Sequence, residues 1–294
     1  MLEDFYVCGQ SEFTQVLEVG NIVDVAAENF NACVVSVDGR VSCWGDNRLA
    51  QNGSGTTSPW APPSWIAGID NAVRVAVAGA NGCALLRDGT VTCWGGAEGS
   101  TPMSMAGVND AVGLALTGGQ VCVVRAAGRM ACWGLWPDAS PNDAGLDDAV
   151  SILSSGADVC VVRATGQIWC RGGSWWGAIG APSPDVFVEL PVSDVVELAM
   201  GHGHICIRKR DRTVHCAGWN ISGQLGDGTR DNRSEFREAP SLAGVELLGA
   251  GVRVTLGLLP DGRVTGCGSN SSGEQDTRAT GDSSIVVFAT TEIP

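Results

Sequence analysis

The residues of this sequence that can form covalent or metal bonds through sulfur and imidazole are 12 cysteines and 3 histidines. Ten cysteines form five pairs with a constant spacing of ten residues: Cys33 and Cys43, Cys83 and Cys93, Cys122 and Cys132, Cys160 and Cys170, Cys206 and Cys216. Because this spacing lacks the Cys-x-x-Cys clustering of zinc sites, disulfides are favoured over a metal site. Cys8 and Cys267 remain, either as a sixth disulfide or as two buried free thiols.

The histidines and acidic residues do not predict a catalytic or metal site. His202 and His204 share one strand face with Cys206, whereas His215 falls on the other face, so the three imidazoles cannot converge. A calcium loop at Asp227–Asn232 is an alternative, although it lacks EF-hand spacing. No Ser-His-Asp or Cys-His arrangement stands out. We therefore expect no metal, no cofactor and no enzymatic activity.

The cysteine pairs belong to a repeated β-hairpin. In the first copy, a three-residue turn that closes on Gly39 places Cys33 directly opposite Cys43, in a non-hydrogen-bonded pair close enough for a disulfide. The cysteine face of this hairpin also carries Val35 and Val41, and we expect it to be the buried face. A sixth copy, Leu256–Gly266, keeps the strand pattern but has lost both cysteines.

Each repeat unit adds further short strands to its hairpin. A β-rich run precedes the hairpin and an extended, proline-containing stretch follows it, and six such units predict an all-β β-propeller. The units span 21–70, 71–109, 110–146, 147–192, 193–242 and 243–283. We expect 1–20 and 284–294 to form a composite closing blade, which makes residues 1–294 one propeller domain of seven blades. A ring of six blades is the alternative.

Several segments resemble the regulator of chromosome condensation repeat, whose signature is Trp-Gly, an Asn two residues further on, and then Gly-Gln-Leu-Gly. Gly218–Thr229 carries most of it, and Cys43–Asn47 carries the Trp-Gly and Asn part. The Trp position instead holds Arg171, Ala217 and Cys267 in the last three units. The resemblance spans nearly the whole chain and implies a closed propeller. The paired cysteines resemble secreted bacterial members of the family, which include an inhibitor of β-lactamases.

The candidate partner-binding residues are tryptophans of the variable loops and one basic hairpin tip. They are Trp60, Trp65, Trp136, Trp175, Trp176, Arg208, Lys209, Arg210 and Arg212. Loop tryptophans are typical interface anchors, although packing between blades is an equal alternative. For the basic tip, docking of an acidic partner competes with a simply solvated turn.

Charge and cysteine content narrow the setting. A net charge of −14 opposes nucleic-acid binding, and no apolar run is long enough to insert into a membrane. Disulfides predict an extracellular, cell-surface or periplasmic location; Met1-Leu-Glu-Asp is not a signal peptide, so we expect the leader outside this sequence. We therefore expect a secreted or surface protein-binding module, with enzyme inhibition as one version. A carbohydrate-binding propeller and a propeller lyase are the alternatives.

Overall fold

The computed structural model describes residues 21–28, 30–96, 99–134, 142–143, 145–172, 186–269 and 283–288, and of 99, 142–143 and 283–288 it describes the backbone alone. The chain divides after Val159 into two compact units, which we call the N-terminal unit and the C-terminal unit. Across these described ranges the regular structure consists of β-strands and one 3-10 turn, Pro240–Leu242.

The strands of the N-terminal unit form three blades and begin a fourth. Blade 1 consists of β1 (Ile22–Glu28), β2 (Asn31–Ser36), β3 (Val41–Asn47) and β4 (Ser58–Trp65). Blade 2 consists of β5 (Ala72–Ala78), β6 (Asn81–Leu86), β7 (Val91–Gly95) and β8 (Gly99–Ser104). Blade 3 consists of β9 (Ala111–Leu116), β10 (Gln120–Arg125), β11 (Met130–Gly134) and β12 (Asn142–Asp143), and β13 (Ala149–Ser155) opens blade 4.

The C-terminal unit completes blade 4 and adds two more blades. Blade 4 continues with β14 (Asp158–Arg163), within which the units divide, β15 (Ile168–Arg171) and β16 (Val188–Glu189). Blade 5 consists of β17 (Val195–Met200), β18 (His204–Lys209), β19 (Val214–Gly218) and β20 (Arg233–Glu238). Blade 6 consists of β21 (Leu247–Ala250), β22 (Val254–Leu258), β23 (Val264–Gly268) and β24 (Ser283–Phe288).

The described residues therefore form six four-stranded blades, each hydrogen-bonded in chain order, so the all-β propeller prediction is confirmed. The prediction of seven blades is wrong, and six is the correct alternative. β24 does not serve a composite blade; it pairs antiparallel with β23, with Phe288 opposite Val264. It supplies the fourth strand of blade 6 and covers the open edge of β23. Its apolar pattern identifies a strand but not the edge that the strand joins.

The central hairpin of the blades has the register predicted from the turn. In blade 1, Cys33 lies opposite Cys43 and Val35 opposite Val41. The same register recurs in blades 2, 3, 5 and 6. Gly39 closes the turn with a φ of 85°, a left-handed conformation that glycine adopts without steric cost. The turn thus fixes which side chains face each other across the hairpin.

Burial of the hairpin is two-sided, whereas the sequence predicts one buried face. The cysteine face is buried as expected, but Val34 and Ser42 on the opposite face of blade 1 are buried as well. The reason is that neighbouring blades pack face to face: one cluster of the N-terminal unit joins Val35 of blade 1 with Ala84 and Trp94 of blade 2. Small and polar residues on the second face are therefore packing residues.

Carboxylates connect the first strands of neighbouring blades. Asp24 of β1 accepts a hydrogen bond of 2.7 Å from the backbone N–H of Val75 in β5. Glu197 of β17 holds the same position after a β-bulge and accepts the N–H of Leu248 in β21 at 2.8 Å. Burial raises the pKa of Asp24, and the hydrogen bond from Val75 opposes that rise. Blade-to-blade contact thus includes directed polar bonds as well as apolar packing.

Candidate functional site

Five disulfides fix the hairpins from which the loops emerge. They join the five cysteine pairs named from the sequence, with Cα–Cα distances of 4.0 to 4.2 Å. All ten cysteines are buried, and each bond closes within a single hairpin. Cys267 carries a free, buried thiol, while Cys8 lies outside the described residues. The disulfides thus fix the register of the hairpins that bear these loops.

The loop between β3 and β4 in blade 1 is held by two amide side chains. Asn47 accepts the N–H of Asn52 at 3.1 Å through Oδ1 and donates to the carbonyl of Thr56 at 2.9 Å through Nδ2. Gln51 accepts the N–H of Leu49 at 2.8 Å through Oε1. These bonds satisfy the backbone of an irregular loop, so the loop has one defined conformation.

A tryptophan of the next blade fixes the same loop from the other side. The indole N–H of Trp94 in β7 donates to the carbonyl of Gln51 at 2.9 Å, and the ring is fully packed in the core. The repeat signature therefore has a structural role here. Its Asn and Gln shape the loop, and its Trp connects the loop to the neighbouring blade.

This rigid loop forms one wall of a cleft of about 230 Å³ in the N-terminal unit. The cleft is lined by Phe30, Asn31, Asp46, Leu49, Gln51, Gly79 and Ala80. Phe30 is 77% exposed and Leu49 is 50% exposed, so two large apolar side chains with open surface border the cleft. The Oδ1 atom of Asn31 is buried without a hydrogen-bond partner. Because that atom has no contact with solvent, the cleft offers apolar contact through Phe30 and Leu49.

Phe30 and Leu49 were not identified from the sequence. Phe30 lies in the turn between β1 and β2, and its carbonyl accepts the N–H of Asp46 in β3. The equivalent carbonyls of blades 2, 5 and 6 belong to Ala80, Gly203 and Arg253. None of these three blades has an apolar residue larger than alanine at this turn position. The phenylalanine in blade 1 is therefore the sequence signal that would have revealed Phe30 as a candidate.

The predicted tryptophans are only partly described. Trp136, Trp175 and Trp176 lie outside the described residues. Trp65 ends β4 and is half-buried under the guanidinium of Arg40, 4.2 Å from its ring centroid. Trp60, in the middle of β4, is 48% exposed. Of the two candidate partner-binding tryptophans that the structure describes, Trp60 therefore presents the more open aromatic surface.

The predicted basic tip of blade 5 is only partly neutralised by its surroundings. Nε of Arg208 pairs with Glu197 at 2.7 Å, and both side chains are about four-fifths buried. Arg212 occupies the turn position that holds Gly39 in blade 1, and its φ is 70°. Lys209 is half-buried and Arg210 is exposed.

The loop of blade 5 repeats the hydrogen bonds of the blade 1 loop. Asn220 accepts the N–H of Leu225 at 2.9 Å and donates to the carbonyl of Thr229 at 3.1 Å. Gln224 accepts the N–H of Ser222 at 3.0 Å. Two blades with different loop sequences therefore build the same framework from one Asn and one Gln.

The blade 5 loop is connected to blade 6 without a tryptophan. The carbonyl of Gln224 accepts the hydroxyl of Thr255 at 2.8 Å and the thiol of Cys267 at 3.4 Å. Since that hydroxyl donates to Gln224, it accepts from Nε2 of His204 at 2.9 Å. Burial lowers the pKa of His204 to about 4 and raises the pKa of Cys267 to about 12, so both are neutral at pH 7. Here the histidine and the thiol serve packing and hydrogen bonding.

The described residues contain no group of three His, Cys, Asp or Glu side chains that could hold a metal ion. His215 lies opposite Ile207 and hydrogen-bonds Thr213, away from His204. In the loop Asp227–Asn232, the alternative calcium site, Asp227 pairs with Arg233 and also accepts the Thr229 hydroxyl. Within the described ranges, no helix has the length and apolarity of a membrane span.

Comparison with known proteins finds a repeat profile that matches part of the N-terminal unit. A profile of the regulator of chromosome condensation (RCC1) repeat matches residues 22–51, which contain β1 to β3 and the start of the blade 1 loop. No curated protein sequence matches the chain.

Several solved structures share the fold. The Saccharomyces cerevisiae protein Prp20p, studied with its binding to Gsp1p and histones, is similar over 91% of this chain and 76% of its own, with a TM-score of 0.75 and 17% identity. Human WBSCR16 is similar over 79% of this chain and 70% of its own, with a TM-score of 0.68 and 18% identity. The CRINKLY WD40 ectodomain of the Arabidopsis thaliana receptor kinase ACR4 is similar over 82% of this chain and 77% of its own, with a TM-score of 0.54 and 17% identity. The profile match thus relates blade 1 to the regulator of chromosome condensation repeat, and the solved structures show that the chain shares the fold of known propellers.

Proposed function

We propose that this protein is an extracellular protein-binding module that docks a partner at the cleft of blades 1 and 2. The observation that carries the proposal is the pair of exposed apolar side chains, Phe30 and Leu49, at the edge of a cleft whose walls are fixed by hydrogen bonds. Exposed aromatic anchors beside a preformed pocket are characteristic of the energetic centres of protein interfaces.

Rigidity favours binding at this cleft. The Cys33–Cys43 disulfide fixes the hairpin of blade 1, and the Trp94 indole fixes the Gln51 carbonyl at 2.9 Å. Because little loop ordering remains to be done on association, more of the contact free energy of Phe30 and Leu49 becomes affinity. Enzyme inhibition, by insertion of a partner's side chain, is one version of this function.

The proposed location rests on the disulfides. Five disulfides persist in an oxidising compartment and are uncommon where cellular thiols keep cysteines reduced. An extracellular or periplasmic site of action is therefore part of the proposal, and the partner is sought among proteins of that compartment.

The test is site-specific photocrosslinking in extracellular material. A benzophenone amino acid replaces Phe30 in one protein and Val37 in a control protein, because Val37 is also apolar and is 61% exposed in the turn at the other end of β2. We expect a protein adduct from position 30 that is absent from position 37 and that disappears when unlabelled native protein is added in excess. Equal adducts from both positions would refute a partner at the cleft.

A quantitative variant completes the test once the adduct is identified. Phe30→Ala with Leu49→Ala should weaken binding of that partner at least about tenfold, as for truncated interface anchors. Val37→Ala should leave the affinity unchanged. Because all three side chains are exposed, their truncation should leave the fold intact, and near-identical unfolding curves would verify it.

A further inference from the structure

The hairpin tip of blade 5, residues 209–213, differs from the other described tips in its free positive charge; we call it the blade 5 tip. Its one carboxylate, Asp211, accepts both the N–H and the hydroxyl of Thr213, at 2.9 and 2.7 Å. Lys209, Arg210 and Arg212 make no ion pair with any described residue. The tip thus carries three cations and one carboxylate, a local excess of positive charge.

At three other tips, a cation is paired with a nearby carboxylate, and in blades 1 and 6 that cation lies where blade 5 has Thr213. Arg40 pairs with Asp38 at 2.8 Å in blade 1, and Arg263 pairs with Asp261 at 2.7 Å in blade 6. In blade 3, Arg125 takes the place of Lys209 and pairs with Asp110 at 2.6 Å. The charge at blade 5 is therefore a property of that tip and not of the hairpin design.

Blade 2 provides a matched reference for the blade 5 tip. Asp88 accepts the N–H and the hydroxyl of Thr90 at 3.0 and 2.6 Å, as Asp211 does in blade 5. The blade 2 tip, however, has one cation, Arg87, and a glycine where blade 5 has Arg212. The two tips share a turn and differ in charge.

The backbone at the blade 5 tip is also strained. Arg212 has a φ of 70°, and Asp194, whose carbonyl accepts the N–H of Arg210 at 2.8 Å, has a φ of 60°. Together with Ala50 these are the only non-glycine residues of the described chain with positive φ. Strain of this kind persists where a side chain is needed at a position that glycine would fill more easily.

We propose that the blade 5 tip binds a short run of carboxylates on a protein partner. Arginine forks match carboxylates with paired hydrogen bonds, and Arg210 and Arg212 are both exposed. The patch spans a single turn, so it fits a few acidic residues. A long polyanion would extend beyond it over a protein of net charge −14 and be repelled. The choice of a protein partner rests on the proposed function, but the surface is a different one.

This arrangement predicts an unusual dependence on salt. At about 10 mM salt, charges act over about 30 Å, so the net negative charge of the whole protein repels an acidic probe. At about 0.15 M salt the range falls to about 8 Å, and the local cations dominate. At about 1 M salt even these contacts are screened. Affinity should therefore pass through a maximum, whereas a uniformly basic surface would lose affinity monotonically.

The experiment is a fluorescence anisotropy titration with a fluorescein-labelled hexaglutamate peptide. Native protein should bind with a maximum of affinity at intermediate salt. Arg210→Ala with Arg212→Gly should weaken binding about fivefold, as for two exposed charge pairs, while Arg87→Ala at the blade 2 tip should change it less than about twofold. Both variants alter exposed turn residues, and glycine suits the backbone of residue 212.

Several outcomes would overturn the inference. They are the absence of peptide binding at every salt concentration, equal binding by native protein and the double variant, and binding of a sulfated polysaccharide with no binding of the peptide. The Phe30→Ala, Leu49→Ala variant separates this result from the proposed function, since it should bind hexaglutamate normally. A negative result for partner binding at the cleft would then leave the inference about the blade 5 tip unaffected. A negative result for hexaglutamate binding would likewise leave the proposed function unaffected.

Discussion

The loops of blades 1 and 5 have the same internal hydrogen bonds but are connected differently to the blade that follows each. In blade 1 the Gln51 carbonyl accepts the Trp94 indole. In blade 5 the Gln224 carbonyl accepts the Thr255 hydroxyl and the Cys267 thiol. One acceptor position is thus served by two unrelated sets of donors. The comparison teaches that the loop framework depends on satisfying this carbonyl and not on the tryptophan itself.

The donor change is matched by a change of volume across the strand pair. Trp94 lies opposite Gly82, and a Cβ at Gly82 would come within 2.5 Å of the indole ring. Cys267, the smaller residue, lies opposite Thr255. Blade 2 therefore pairs a large residue with glycine, whereas blade 6 pairs two residues of small and medium size at the same positions. The two pairs fill equivalent space in different ways.

The strongest way to break the comparison is to truncate both donors. Trp94→Ala should lower the free energy of unfolding by about 4 kcal/mol, because it removes a buried ring and leaves a cavity. Cys267→Ala should cost only about 1 kcal/mol, since Thr255 still donates to Gln224. Urea unfolding under non-reducing conditions measures both values. Equal losses would show that the thiol carries the blade 5 connection.

A second change tests the paired volumes. Cys267→Trp alone should destabilise by about 2 kcal/mol, because Thr255 occupies the space that the ring needs. Adding Thr255→Gly should recover part of that loss, as Gly82 accommodates Trp94. A double variant less stable than the sum of the single changes would contradict the proposed exchange.

The hairpin tips give a prediction of intermediate size. Arg212→Gly should stabilise by about 0.5 kcal/mol, because relief of the left-handed conformation outweighs the entropy that glycine adds to the unfolded chain. The reverse change in blade 1, Gly39→Ala, should destabilise, since its Cβ would lie 2.7 Å from the carbonyl of Asp70. Thermal unfolding measures both. A loss of stability in the Arg212→Gly variant would mean that the guanidinium supports the fold.

The smallest effect concerns the carboxylates between first strands. Burial raises the pKa of Asp24 from 3.8, so its contribution to stability is complete below pH 3.8 and declines as the pH rises through the raised pKa. Asp24→Asn keeps an acceptor for Val75 without that decline. It should therefore be more stable than the native protein at pH 7, by less than about 0.5 kcal/mol given solvent screening. Unfolding from pH 3 to 7 tests this; a constant difference would contradict it.

The blade 5 counterpart is the control for that prediction. Glu197→Gln should destabilise at pH 7, because Arg208, which is mostly buried, loses its ion-pair partner at 2.7 Å. Opposite signs for the two variants would show that equivalent carboxylates have different local balances. Equal signs would mean that the shared hydrogen bond to the next blade dominates both.

The local structure could be predicted from the sequence more fully than the assembly. The turn at Gly39 determines that Cys33 faces Cys43, because register in a short hairpin is a local property. The partner of β24 depends on which strand edge is open, and no pattern within Ser283–Phe288 encodes that edge. The burial of Ser42 likewise arises from the neighbouring blade.

Prediction of the candidate site was also uneven. The basic tip is visible as four cations within residues 208–212, but only the structure shows that Arg208 pairs with Glu197 while the other three make no ion pair with a described residue. The cleft was missed, because exposure of Phe30 depends on how two loops and a turn meet. The types of residue in a segment can indicate a candidate binding surface, but whether those residues are exposed depends on the tertiary structure.

The confinement of each disulfide to one hairpin affects how the chain acquires its bonds. The partners of each described pair are ten residues apart, so every cysteine meets its own partner at a much higher effective concentration than any other cysteine. Oxidation can therefore proceed in any order, with little need for isomerisation between pairs. A repeat could also be duplicated or deleted without leaving an unpaired thiol. The covalent pattern is thus compatible with growth or shortening of the array by whole blades.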